Sequence, residues 1–107
     1  MRMGLYVLDD KQRPVPEIDA VKWGQWYEKS NRHVGLHEFG SIRVSTVFLG
    51  VDHGWAGMAP VLWETMVFDD NKGPLDGEMT RCSGSWEQAE AMHQAMVARV
   101  ASVNAPG

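Results

Sequence analysis

The chain has 107 residues, 44% of them hydrophobic, and carries 10 Lys and Arg against 14 Asp and Glu, for a net charge of −4. That length holds one domain around one core, and the apolar content excludes a disordered chain. The mild acidic excess disfavours nucleic acid as a partner, because no surplus of cations exists to release counterions from phosphates.

Residues 1–16 read as an extended or looped lead-in. Tyr6-Val7-Leu8 suits a short strand or extended segment, and Asp9 to Pro16 reads as loop because Pro14 and Pro16 fit neither a helix nor a central strand. The apolar run before Asp9 is too short for a secretory signal. The lone Cys82 cannot form an internal disulfide, which together with the absent signal points to the cytoplasm.

Asp19 is a suitable N-cap for a helix from Ala20 to about Lys29. Ile18, Val21 and Trp26 or Tyr27 lie on one side at helical spacing. Trp23 falls off that stripe and either broadens the buried face or projects outward, while Gly24 costs this helix about 1 kcal/mol relative to Ala.

From Arg32 to Phe39 polar and apolar residues alternate, which suits a strand with Val34 and Leu36 opposite His33, Gly35 and His37. Gly40-Ser41 turns the chain into a second strand, Ile42–Val51. Ile42, Val44, Thr46 and Phe48 share one face of it, and Arg43, Ser45, Val47 and Leu49 the other. A loop from Asp52 to Pro60 leads to a third strand, Val61–Phe68. There Leu62, Glu64, Met66 and Phe68 oppose Trp63, Thr65 and Val67. Asp69–Gly77 reads as a turn and Glu78–Cys82 as a fourth strand.

Ser85-Trp86-Glu87-Gln88 has the spacing of a capping box. It opens a helix to about Ser102 whose stripe is Trp86, Ala89, Met92 or His93, Met96, Val97 and Val100, with residues 104–107 fraying. The order predicts a single α+β domain over 1–107, an antiparallel three- to four-stranded meander flanked by an N-terminal and a C-terminal helix. Its central strands are apolar on both faces near the loop, so the sheet needs cover on both sides, from helices on one and from a second subunit on the other.

The chemical side chains gather in and near the 52–60 loop. Asp52 could orient the His53 imidazole, Trp55 could wall a ligand, and the loop glycines would admit it; alternatively the loop is a turn and Trp55 caps the core. Glu64 lies mid-strand among apolar residues, where it is either paired with Arg43 or Arg81 or lines a pocket with a raised pKa. His33 and His37 would stand about 13 Å apart on one strand, too far to share a metal. Neither metal-binding nor cofactor-binding spacing occurs elsewhere, and Cys82 reads as packing.

Three segments, Val44 to His53, Trp63 to Phe68 and Ser83 to Glu90, resemble a group of small bacteriophage and prophage proteins. Their pattern is a Ser-Thr-Val-Phe-Leu-Gly-Leu-Asp-His block, then Glu-Thr-Met-Val-Phe, then a Ser-Thr-Trp-Glu-Glu-Ala helix start. This chain carries an extra small residue at Ser83-Gly84-Ser85. The resemblance covers most of the chain from Arg43 and implies a phage origin and a bacterial host cytoplasm, with no activity to transfer. The reading favours a non-catalytic, homodimeric accessory protein that binds a host or phage macromolecule, a host-defence or host-takeover factor among the candidates. The alternative is a small-molecule or nucleotide-binding protein using Asp52, His53, Trp55 and Glu64.

Overall fold

The computed structural model describes residues 4–54 and 57–104, with side chains described throughout except at 75–79, 103 and 104. The elements run β1 (Tyr6–Leu8), β2 (Pro14–Pro16), α1 (Ala20–Lys29), β3 (His33–Phe39), β4 (Ile42–Phe48), β5 (Trp63–Asp69), β6 (Gly73–Cys82) and α2 (Trp86–Asn104). β3 to β6 form an antiparallel meander in sequence order, and β1 and β2 pair separately. The fold is α+β, as the sequence patterns predict.

α2 covers one face of the meander. Ala89, His93, Met96 and Val100, spaced by four, three and four residues, are its buried stripe. They meet the inward side chains of the two central strands, Val44, Thr46 and Phe48 on β4 and Trp63, Thr65 and Val67 on β5. Full burial of each large apolar side chain there contributes about 1.5–3 kcal/mol. The capping box is formed: the Gln88 amide donates to Ser85 Oγ at 3.2 Å and the Ser85 amide to Gln88 Oε1 at 2.9 Å. Trp63 Nε1–H donates to the Gly84 carbonyl at 2.8 Å, holding the β6–α2 connection over the sheet end.

Four expectations change. Pro14–Pro16 is a strand, paired Tyr6 to Pro16, Val7 to Val15 and Leu8 to Pro14. Amide bonds from Glu17 to the Leu5 carbonyl and from Asp9 to the Arg13 carbonyl mark alternate bonded positions. Pro14 and Pro16 therefore sit where no ladder donor is needed. β6 starts at Gly73, not Glu78, because a tight turn with Gly73 at φ +82° reverses the chain just after Asp69. β4 ends at Phe48, since Gly50 at φ +75° leaves the extended region before Val51. α2 runs through Asn104, leaving 105–107 outside the described residues.

The buried side of α1 is also different from the predicted stripe. Ile18 is 90% and Val21 69% exposed, while Trp23, Trp26 and Tyr27 turn inward. Trp23 Nε1–H is shared between the carbonyls of Tyr6 and Gly50, both at 3.0 Å. Trp26 meets Phe48 edge-on at 6.0 Å, and Tyr27 stacks on Trp23 at 4.6 Å beneath the Arg32 guanidinium. Three aromatic rings bury more area than Ile18 and Val21, and the indole donor needs the acceptors found on that side. Asp19 caps the helix as expected, accepting from the Val21 and Lys22 amides.

Candidate functional site

Asp52 follows β4 at the mouth of the 52–60 loop, and its carboxylate is used by the backbone. Oδ1 accepts from the amides of Gly54 at 2.7 Å and Val61 at 2.9 Å, stapling the two ends of the loop together. The His53 amide donates to the Val61 carbonyl at 3.0 Å, while its side chain is exposed. Gly54 is tightly enclosed: a Cβ there would lie 3.0 Å from Asp52 Oδ1 and 3.2 Å from the Ala59 carbonyl. Trp55 lies outside the described residues. Among those described, no hydrogen bond joins the Asp52 carboxylate to the His53 ring.

Glu64 sits on the opposite face of the sheet from α2, directly across from Arg81. Arg81 Nε donates to Glu64 Oε2 at 2.7 Å, with the Glu64 side chain only 12% exposed. The carboxylate is therefore an ion-pair partner on β5, one of the two roles open to it from sequence. Around it on the same face stand Val47, Met66 and Phe68, all half-buried, and Leu36, which is 51% exposed. Arg43 on this side is closed by Asp70 at 2.8 Å. Leu62 does not belong to this face: it precedes β5 and joins the Phe48–Trp63 cluster under α2.

The most elaborate polar arrangement lies under α2, and the sequence patterns did not single it out. A register shift between His33 and Gly35 makes a bulge in β3. Val34 packs toward the Phe48 cluster, Leu36 turns outward, and His37 stands opposite Val44 on the α2 side. Strict alternation placed Val34 and Leu36 together, and the extra residue of the bulge separates them. His37 Nδ1 lies 2.9 Å from His93 Nε2. His93 Nδ1 lies 2.6 Å from Thr46 Oγ1, which in turn lies 2.5 Å from Thr65 Oγ1. One imidazole thus links α2 to β3 and β4, and through Thr46 to β5.

Gly35 makes this possible. A Cβ at residue 35 would stand 2.7 Å from both Cδ2 and Nε2 of His93, so the ring rests against bare backbone. His93 is 2% exposed, and Thr46 and Thr65 are fully buried. Burial first, and the neighbouring His37 second, hold the His93 imidazole below its ordinary pKa. No substrate can reach the threonine hydroxyls, so these groups serve the packing of the helix rather than attack on a ligand. The sequence signal for the network was present in retrospect: two threonines at inward positions of adjacent strands need hydroxyl partners when buried.

Cys82 is half-buried beside α2, and desolvation pushes its thiol pKa up, which suits packing rather than nucleophilic use. It borders a cleft of about 400 Å³ between β6 and α2, with Met92, Ala95 and Met96 on the helix side. Among the described residues no group of three or more potential metal ligands occurs, and no helix is long and apolar enough to cross a membrane. Comparison with protein-family models, with curated proteins and with solved structures returns no match to this chain.

Proposed function

We propose that this protein is a small non-catalytic binding module that works through the face of its sheet opposite α2 and pairs there with a second copy. The observation carrying this reading is the character of that face: Leu36 is 51% exposed beside Val47, Met66 and Phe68, with no element described above them. Four of the charges at that face are closed in pairs, Arg81 with Glu64 and Arg43 with Asp70, and Glu38 is exposed on the outer strand β3. Such a surface is apolar and nearly neutral, which complements a copy of itself better than a strongly charged partner. Four strands, taken over the seven-residue length of β3 to β5, span roughly 19 by 23 Å, or about 440 Å² of projected area. Two such faces fall at the small end of protein interfaces, the size of weak contacts that exchange partners.

The likeness of its central blocks to phage proteins supports a role inside a bacterial host, on a host or phage macromolecule in the cytoplasm. A small-ligand pocket built from Asp52 and Glu64 draws less support, since both carboxylates already hold partners. Sedimentation velocity at micromolar concentration tests the proposal. The wild type is expected as a dimer, and Met66→Asp as a monomer with unchanged circular dichroism. A strictly monomeric wild type refutes it. Pull-down from bacterial lysate with both proteins then reports whether the same face, or the dimer, recruits a partner.

A further inference from the structure

We propose that the His37–His93 pair is an acid-operated latch: neutral or singly protonated it clamps α2 to the sheet, and doubly protonated it releases the helix. The geometry sets this up. With one proton on His93, the chain from His37 through Thr46 to Thr65 satisfies both ring nitrogens and can run in either direction. A proton added to the exposed His37 merely fixes that direction, with His37 Nδ1–H donating inward and His93 Nδ1–H donating to Thr46. A second proton, on His93, puts two N–H groups face to face 2.9 Å apart. It also places two cations with ring centroids 5.0 Å apart in the sheet–helix interface.

No described carboxylate stands ready to neutralise that charge. On β3, Glu38 lies opposite Arg43 on the far face, and His33 is exposed on that side. On β4, Arg43 points the same way, toward Asp70. On β5 and β6, Glu64 and Arg81 hold each other across the far face, and Cys82 brings only a thiol that burial keeps neutral. On α2 itself, Glu90 is exposed and accepts from the Trp86 indole, and Glu87 and Arg99 are exposed. Gly35 closes the remaining way out, because the ring already touches the β3 backbone and cannot swing toward it.

The sign follows from the two states of the ring. In the clamped helix His93 resists a proton that the released ring accepts at its ordinary value of about 6.5. The clamp is therefore at full strength above that pH and weakens as pH falls below it. For each pH unit over which the clamped ring stays neutral, the opening equilibrium gains about tenfold.

Hydrogen exchange of the α2 amides between about pH 7.5 and 5.5, corrected for intrinsic rates, tests this above the ordinary range of carboxylates. The His93 ring is followed in parallel by NMR. In the wild type, opening of Ala89 to Val100 is expected to rise by up to about tenfold per pH unit below 6.5, while β4 and β5 amides stay protected longer. In His37→Gln, at an exposed position, the amide meets the ring without charge, and the rise is expected to begin near the same pH but to be shallower and to level off sooner. Protection of α2 that does not change over this window overturns the proposal. So does an identical pH dependence in His37→Gln, or a His93 ring that titrates at its ordinary value with the helix still protected. If His37→Gln does not fold, the wild-type ring titration and exchange decide alone.

Discussion

Adding one methyl group at Gly35 strikes the point where strand β3 and the buried imidazole meet. The new Cβ would stand 2.7 Å from Cδ2 and Nε2 of His93. Carbon contacts are optimal at about 3.5–4.0 Å, so the ring must withdraw by roughly 0.8 Å or β3 must move by the same amount. The ring is held by Thr46 at 2.6 Å and His37 at 2.9 Å, and withdrawal from β3 stretches the second of these beyond useful length. Overpacking costs about 1–3 kcal/mol, and a weakened buried hydrogen bond adds about 1 kcal/mol. Gly35→Ala is therefore expected to lose about 2–4 kcal/mol, or roughly 8–16 °C in Tm for a domain of this size. Urea unfolding followed by tryptophan fluorescence, with calorimetry, measures it. In a His93→Ala background the same methyl group should cost little, giving a coupling above about 1 kcal/mol. A Gly35→Ala protein within about 0.5 kcal/mol of wild type would refute the account of the ring lying on bare backbone.

Thr46→Val keeps the shape of the core but leaves His93 Nδ1 and the Thr65 hydroxyl without their partner, and should cost about 2–4 kcal/mol in urea unfolding. Adding Thr65→Val removes one of the two stranded groups, so the double variant should be less unstable than the sum of the singles. Gly50→Ala places a side chain at φ +75° and within 3.2 Å of the Tyr27 ring. Its expected loss is about 1–3 kcal/mol, seen in near-UV dichroism as altered packing of Trp23.

The two layers of this fold were legible because their signals are local. The Ser85–Gln88 capping box and the spacing of Ala89, Met96 and Val100 define α2 without reference to anything else. The alternation in β4 and β5 sorted Val44, Thr46 and Phe48 from Arg43, Ser45 and Val47, and that sorting matches the observed faces. What was not legible depends on pairing across the chain. The β3 bulge moves Val34 and Gly35 to one side, and only the partners Val47 and Thr46 on β4 reveal it. Trp23 could not be assigned inward until the Tyr6 and Gly50 carbonyls were brought together around its indole. The same limit hid the histidine network. His37 and His93 are 56 residues apart, and neither carries a local signature. Asp52, His53 and Glu64 drew attention because of their neighbours in sequence, yet the partners that matter to Asp52 and Glu64 are the Val61 amide and Arg81.

The meander has a further consequence for how the protein is made. β4, β5 and β6 each pair with the strand translated just before, whereas α2 follows β6. Until α2 docks, Val44, Phe48, Trp63 and Val67 have no lid, and the unfinished sheet is greasy on both sides. How fast α2 docks, and the presence of a chaperone to shield those strands until it does, should therefore govern yield more strongly than changes in the early hairpin.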